Sequence, residues 1–175
     1  MEMLGWQLLK IAHSEIGANR KHRGNRFMTV VQFCMDLVQV FTELQRLLRP
    51  DGTAIFVIGR ESKVRGVAFN NSQLLALLAT GGAGFHIERW QERKFINRFG
   101  ASIYEDILTL KPNGKTFDSP DEFGQQVGVL ALSNALSTAS GEILGDIKQA
   151  IARSGEILPS PLFKASALEA IARST

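Results

Sequence analysis

Apolar residues recur on one helical stripe from Val30 through Cys34, Leu37, Val38, Phe41 and Leu44 to Leu48, with Gln32, Asp36, Gln39, Glu43 and Arg46 off it. That period predicts a helix beginning at Thr29, a residue type that caps helix N-termini, and stopping after Arg49 at Pro50. Pro50-Asp51-Gly52 has turn chemistry, since proline presets its own φ and glycine tolerates φ > 0. The near-continuous apolar run "TAIFVIG" follows. Such a run predicts a strand buried on both faces, as in a parallel sheet under helices. A loop, "RESKVRGVAF", then leads to "NSQLLALLATGG", a short helix that Asn71 or Ser72 can cap and Gly81 and Gly82 can end. The segments "FHIERWQERKF" and "SIYEDILTL" read as two strands joined by "INRFGA", a connection that suits a hairpin. The order is α/β with an antiparallel finish.

Three regions follow from the same pattern. Residues 1–28 hold a short apolar patch (Leu4, Trp6, Leu8, Leu9, Ile11) and then the basic loop "SEIGANRKHRGNRF". Residues 29–112 carry the regular α/β elements. In residues 113–175 the turn-rich linker "KPNGKTFDSPDEFG" precedes short Ala- and Ser-rich helical stretches, "QVGVLALSNALSTA", "GEILGDIKQAIARSG" and "FKASALEAIARS", which read as an appended helical tail.

Length and composition narrow the class. A chain of 175 residues with 45% hydrophobic content is one ordinary domain with enough apolar material for a core. A single cysteine, Cys34, forbids an internal disulfide, and no apolar run approaches the roughly 18 residues of a membrane span. The N-terminal "MEMLGWQLLKIAHSE" lacks the long apolar core of a signal peptide, so the chain is expected to be soluble and cytoplasmic. His13, His22, His86 and Cys34 have no metal-ligand spacing, and no metal is expected. Glu105 and Asp106 are adjacent in a strand and so point to opposite faces, which denies them a shared acid/base role. No catalytic residue is assigned.

The joint "LQRLLRPDGTAIFVIG" resembles the Leu-x-x-x-Leu-x-Pro-Gly-Gly joint of class I S-adenosylmethionine-dependent methyltransferases, where the helix after the fourth strand turns into the fifth. Asp51 stands where that family usually has Gly. The similarity continues through "GRESKVRG", the helix at 71–80, "GFHIER" as sixth strand and "NRFG-SIYEDILTLKP" as the hairpin into an antiparallel seventh. That last stretch is most similar to bacterial DNA methyltransferases that modify the exocyclic amino group of adenine or cytosine. The resemblance covers roughly Thr29 to Pro112 and implies a partial Rossmann-like methyltransferase fold. It also implies S-adenosylmethionine as cofactor and DNA as partner.

In that family the cofactor sits on a glycine-rich turn after the first strand, and the amino group is attacked at an Asp/Asn/Ser-Pro-Pro-aromatic motif after the fourth. The five prolines, Pro50, Pro112, Pro120, Pro159 and Pro161, include no adjacent pair. The one glycine cluster, "TGGAGF", follows a helix and precedes a strand, the reverse of the strand–glycine–helix order that cradles a phosphate or adenosyl group. By this alignment Met1 falls just after the catalytic motif. The chain is then expected to be the C-terminal half of the enzyme, inactive alone and completed by a front-half chain or by a second copy of itself.

In an open α/β sheet, ligands bind beyond the carboxyl ends of the strands. Three basic segments are expected there, holding Arg20, Lys21, Arg23 and Arg26, then Arg60, Lys63 and Arg65, then Arg93, Lys94 and Arg98, with Asn97 beside the last. Together they carry ten of the chain's twenty lysines and arginines, and only Glu61 and Glu92 offset them locally. Convergent cations are what a phosphate backbone requires. Asn19, His22 and Asn25 add polar groups for base edges. Phe27 is either a stacking group or the first core residue under the helix, and Trp6 and Trp90 are either platforms or core. A non-catalytic nucleic-acid-binding or assembly subunit with the same partial fold is the alternative function.

Overall fold

The structure, a computed structural model, describes residues 24–115 and 117–158, and from Asn25 onward these belong to one compact unit. Residues Arg20, Lys21, Arg23 and the "FKASALEAIARS" stretch lie outside the described residues. The elements are α1 (Met28–Leu47), β1 (Ala54–Gly59), β2 (Glu61–Val64), β3 (Val67–Asn70), α2 (Asn71–Gly82), β4 (Phe85–Ile96), β5 (Ser102–Pro112), α3 (Pro120–Ala135) and α4 (Gly141–Ala152), followed by a 3-10 turn at Ser154–Glu156. The architecture is α/β.

Helix α1 forms where the apolar stripe predicts it, but it starts one residue earlier. Phe27 stands at the N-cap, and the Thr29 hydroxyl donates to the Arg26 carbonyl rather than capping the amides. Its buried surface is also wider than one stripe, taking in Met28, Val31, Gln32 and Met35 as well as Val30, Cys34, Val38 and Phe41. The cause is that α1 is covered on two sides. Cys34, Val38 and Phe41 pack with Leu75 and Leu78 of α2, with Phe85 of β4 and with Leu108 and Leu110 of β5. Phe27, Val31 and Met35 pack with Val67 and Phe69 of β3, Leu132 of α3 and Ile147 of α4.

Three strands form one sheet in the order β1–β5–β4, with β5 antiparallel to both neighbours, so that β1 and β4 run parallel across the intervening crossover. The expected hairpin is present as β4–β5. The expectation for "TAIFVIG" needs correcting. Ala54, Phe56 and Ile58 face the helices, whereas Ile55 is 65% and Val57 55% exposed, because among the described residues the helices pack on one face only. The segment read as a loop after Gly59 is a second hairpin, β2–β3, turning on Arg65 and Gly66 at φ of 49° and 86°. A two-residue turn with both central φ values positive matches strand twist, and arginine there costs strain that its ion pairs to α4 help offset.

The helices expected as an appended tail are built into this unit. Helix α3 lies close against α1, where a Cβ on Gly128 would sit 2.6 Å from the Val31 Cα and one on Gly124 2.9 Å from the Met35 Cα. Those glycines let two backbones approach, and Pro120–Gly124, expected as the end of the linker, forms the first turn of α3. Gly128→Ala is expected to lower stability by about 1–3 kcal/mol, because backbone must move to admit the methyl. Gly145→Ala, on an exposed helical position with nothing near its Cβ, is expected to raise stability by up to about 1 kcal/mol. Chemical denaturation of both variants checks the pair, and equal effects would contradict the packing.

Candidate nucleic-acid interface

The carboxyl ends of β1 and β4 define one end of the sheet. The chain reaches it at Arg60, at the β2–β3 hairpin, at the start of α1 next to Arg26, and at the β4–β5 loop. The opposite end holds a cleft of about 740 Å³ lined by Thr42, Gln45, Pro50, Asn113 and Phe117 among others. That cleft lies at the amino ends of β1 and β4, away from where open α/β sheets receive ligands.

The ten cations of the basic segments do not share one fate. Arg60 makes a two-pronged contact with Asp106, Nε donating to Oδ2 at 3.1 Å and Nη2 to Oδ1 at 2.8 Å, and Nη2 also reaches Glu92 at 2.5 Å. Asp106 is 2% exposed. A carboxylate with so little water needs this fork, since an unpaired buried charge costs several kcal/mol. The Arg60 guanidinium therefore holds the Asp106 carboxyl from its ordinary 3.8 down to about 2, opposed by burial and helped by Ser72 and Trp90. Arg60 in turn is held protonated by the two carboxylates. Arg65 pairs with Glu142 and Asp146 of α4, and Arg93 pairs with Glu105 at 3.0 Å. These three arginines are neutralised by the fold itself.

Lys63, Arg26, Lys94 and Arg98 have no acidic partner among the described residues. Lys63 is exposed at β2, and Arg26 is exposed at the entry to α1. Lys94 and Arg60 both lie over the Tyr104 ring, 5.3 and 5.4 Å from its centre, and Arg98 lies 4.7 Å from the centre of Phe99. Asn97 is a turn residue, its Oδ1 accepting the amides of Phe99 at 2.9 Å and Ala101 at 3.0 Å. Asn25 is 7% exposed, and its amide donates to the Asp146 carbonyl and to Gln149, so it serves α4 rather than a base edge. Phe27 is fully buried and packs in the core. Trp90 stands on the helix-facing side of β4 and is 44% exposed.

Phe99 is not among the site residues expected from the sequence. It is 78% exposed at the hairpin tip, and the signal available was an aromatic between an arginine and a glycine in a turn.

The described residues do not fit S-adenosylmethionine. No described strand passes through a glycine-rich turn into a helix: Gly81 and Gly82 end α2 under the Phe123 ring, β1 runs on into β2, and between β5 and α3 the chain has the single Gly114. Among the described residues no three His, Cys, Asp or Glu side chains could hold a metal ion, and burial pushes the Cys34 thiol up to about 12. No described helix is long and apolar enough to cross a membrane. Neither a protein-family model, nor a curated protein, nor a solved structure matches the chain.

The depressed Asp106 carboxyl sets an acid dependence. A carboxyl that titrates lower when folded stabilises the fold above its ordinary value and loses that contribution as pH falls through its folded value, here between about pH 4 and pH 2. Asp106→Asn is expected to be about 2 kcal/mol less stable than wild type at pH 7, with the gap closing toward pH 2. Urea unfolding across that range measures it, and a gap independent of pH would contradict the pairing.

Proposed function

We propose that the chain is the C-terminal half of an S-adenosylmethionine-dependent DNA amino-methyltransferase, supplying substrate-side loops and structural strands. The observation that supports it is the strand arrangement. A helix ending at Pro50 feeds β1, a helical crossover returns the chain parallel as β4, and a hairpin brings β5 back antiparallel between them. That is the order expected for the fifth, sixth and antiparallel seventh strands of the resemblance, over the same residues. In such an enzyme the target base leaves the stack to reach the catalytic pocket, so exposed cations and aromatics at the carboxyl end of the sheet are suited to the DNA around it. S-adenosylmethionine supplies the methyl group. Its cradle is not among the described residues, and these residues act on the nucleic acid by binding and orienting it.

A second reading, a non-catalytic assembly or nucleic-acid-binding subunit, is favoured by the exposed Ile55 and Val57 on β1, which among the described residues pairs on one edge only. An apolar edge strand is a site of strand addition. Sedimentation separates the two, since a self-completing subunit stays dimeric on dilution.

The expected outcome for the methyltransferase reading is that the purified chain binds duplex DNA with an affinity falling at least about tenfold between low and physiological salt. It transfers no tritium from labelled S-adenosylmethionine to DNA unaided. Replacing Arg20, Lys21, Arg23 and Arg26 by Ala weakens binding and flattens its salt dependence. Absence of DNA binding at low salt, or unaided methylation, would contradict the proposal.

A further inference from the structure

The register of the sheet leaves part of the β4–β5 hairpin beyond it. Gly59, the last residue of β1, lies opposite Glu105, so the pairs Lys94–Tyr104, Phe95–Ile103 and Ile96–Ser102 run on past the end of β1 with the loop 97–101 beyond them. Among the described residues only the Arg60 amide, donating to the Tyr104 carbonyl at 3.0 Å, prolongs the ladder, by one residue. The hairpin is thus an arm.

Its side chains alternate in an orderly way. One face of the arm has Arg93 over Phe95, at 5.3 Å, and the other has Lys94 over Tyr104. At the tip Arg98 lies over Phe99, and Ile96, 69% exposed, adds apolar surface beside it. The stretch from Lys94 to Ala101 contains two cations and no acid, and the neighbouring Glu92 and Glu105 are already paired with Arg60 and Arg93. The tip is also preorganised. Asn97 closes it through its backbone amide to the Ala101 carbonyl at 2.9 Å and through the two amides bound by its Oδ1, while Gly100 supplies φ of 79°.

An exposed phenylalanine on a loop is unremarkable alone. Here the backbone that carries it is fixed by hydrogen bonds, so little conformational freedom is lost on contact. The charge beside it is of one sign. Aromatic faces interleaved with free cations are the chemistry that binds nucleic acid, the rings stacking on bases and the cations meeting the phosphates between them.

We propose that the β4–β5 arm grips an unpaired nucleic-acid strand, with Phe99 stacking on a base and Lys94 and Arg98 on the flanking phosphates. This rests on the methyltransferase reading, in which a base leaves the duplex and its neighbours become accessible, and it assigns the contact to the arm rather than to Arg60 and Arg65, whose charges the fold consumes.

The test uses the full chain and fluorescence anisotropy with a labelled single strand and a labelled duplex carrying one unpaired base, over a salt series. Phe99→Ala is expected to weaken binding about tenfold with the salt slope unchanged, and Phe99→Trp to restore it. Lys94→Ala with Arg98→Ala is expected to reduce the single-strand slope by about 1.4, two phosphates' worth. All three side chains are exposed on the arm, so circular dichroism serves as the control for folding. Wild-type binding with no change in Phe99→Ala overturns the arm and leaves the methyltransferase reading standing. No binding by wild type at low salt overturns both.

Discussion

Strand β5 has a partner along each edge, and that single constraint organises the unit. Because it runs antiparallel to β1 and β4, those two strands must be parallel, and a parallel pair needs a crossover. The crossover is α2, which drops onto the same face as α1. Leu108 and Leu110 of β5 then become the floor beneath Cys34, Val38, Phe41, Leu75 and Leu78. At its amino end the same strand brings Asp106 into the layer, and the burial of that carboxylate is tolerable only because Arg60 forks onto it. Removing β5 would leave β1 and β4 without a shared neighbour and Arg60 without its buried acid.

The same strand decides which cations are available to a ligand. Register places Glu105 toward Arg93 on one face and Asp106 toward Arg60 on the other. Farther along, where β1 has ended, no acid among the described residues neutralises Lys94 or Arg98. Charge that looks uniform along the chain is thus divided by the fold into a structural set and a free set. The free set sits on the arm, at Lys63 and at Arg26.

Much of this was legible in the sequence, and for physical reasons. The 3.6-residue period of α1, the Pro-Asp-Gly turn and the apolar β1 run are local signals that tertiary packing reinforces rather than overrides. The "INRFGA" hairpin was equally plain. The β2–β3 hairpin was hidden because Arg65 occupies a left-handed position where Asn or Gly is usual, and its compensation, the acids Glu142 and Asp146, lies some eighty residues away. The first turn of α3 was hidden because Pro120–Gly124 carries the turn residues of the expected linker, whereas Gly124 and Gly128 are where α1 approaches. Pairing explains the site's misreadings too. Nothing local marks Arg60 as spent on Asp106, or Asn25 as bound to α4, and nothing local marks Phe99 as the ring left outside.

The central claim is that nucleic acid meets the carboxyl end of this sheet through side chains the fold leaves unpaired. Amide chemical-shift mapping of the nitrogen-15-labelled chain against DNA with one unpaired base tests it most directly. The account predicts shifts concentrated at Lys94–Ala101, with smaller ones near Lys63 and Arg26, and none around Pro50, Asn113 and Gly114 at the opposite end. Shifts centred on that opposite cleft, or an unperturbed arm in a chain that binds DNA, would contradict it.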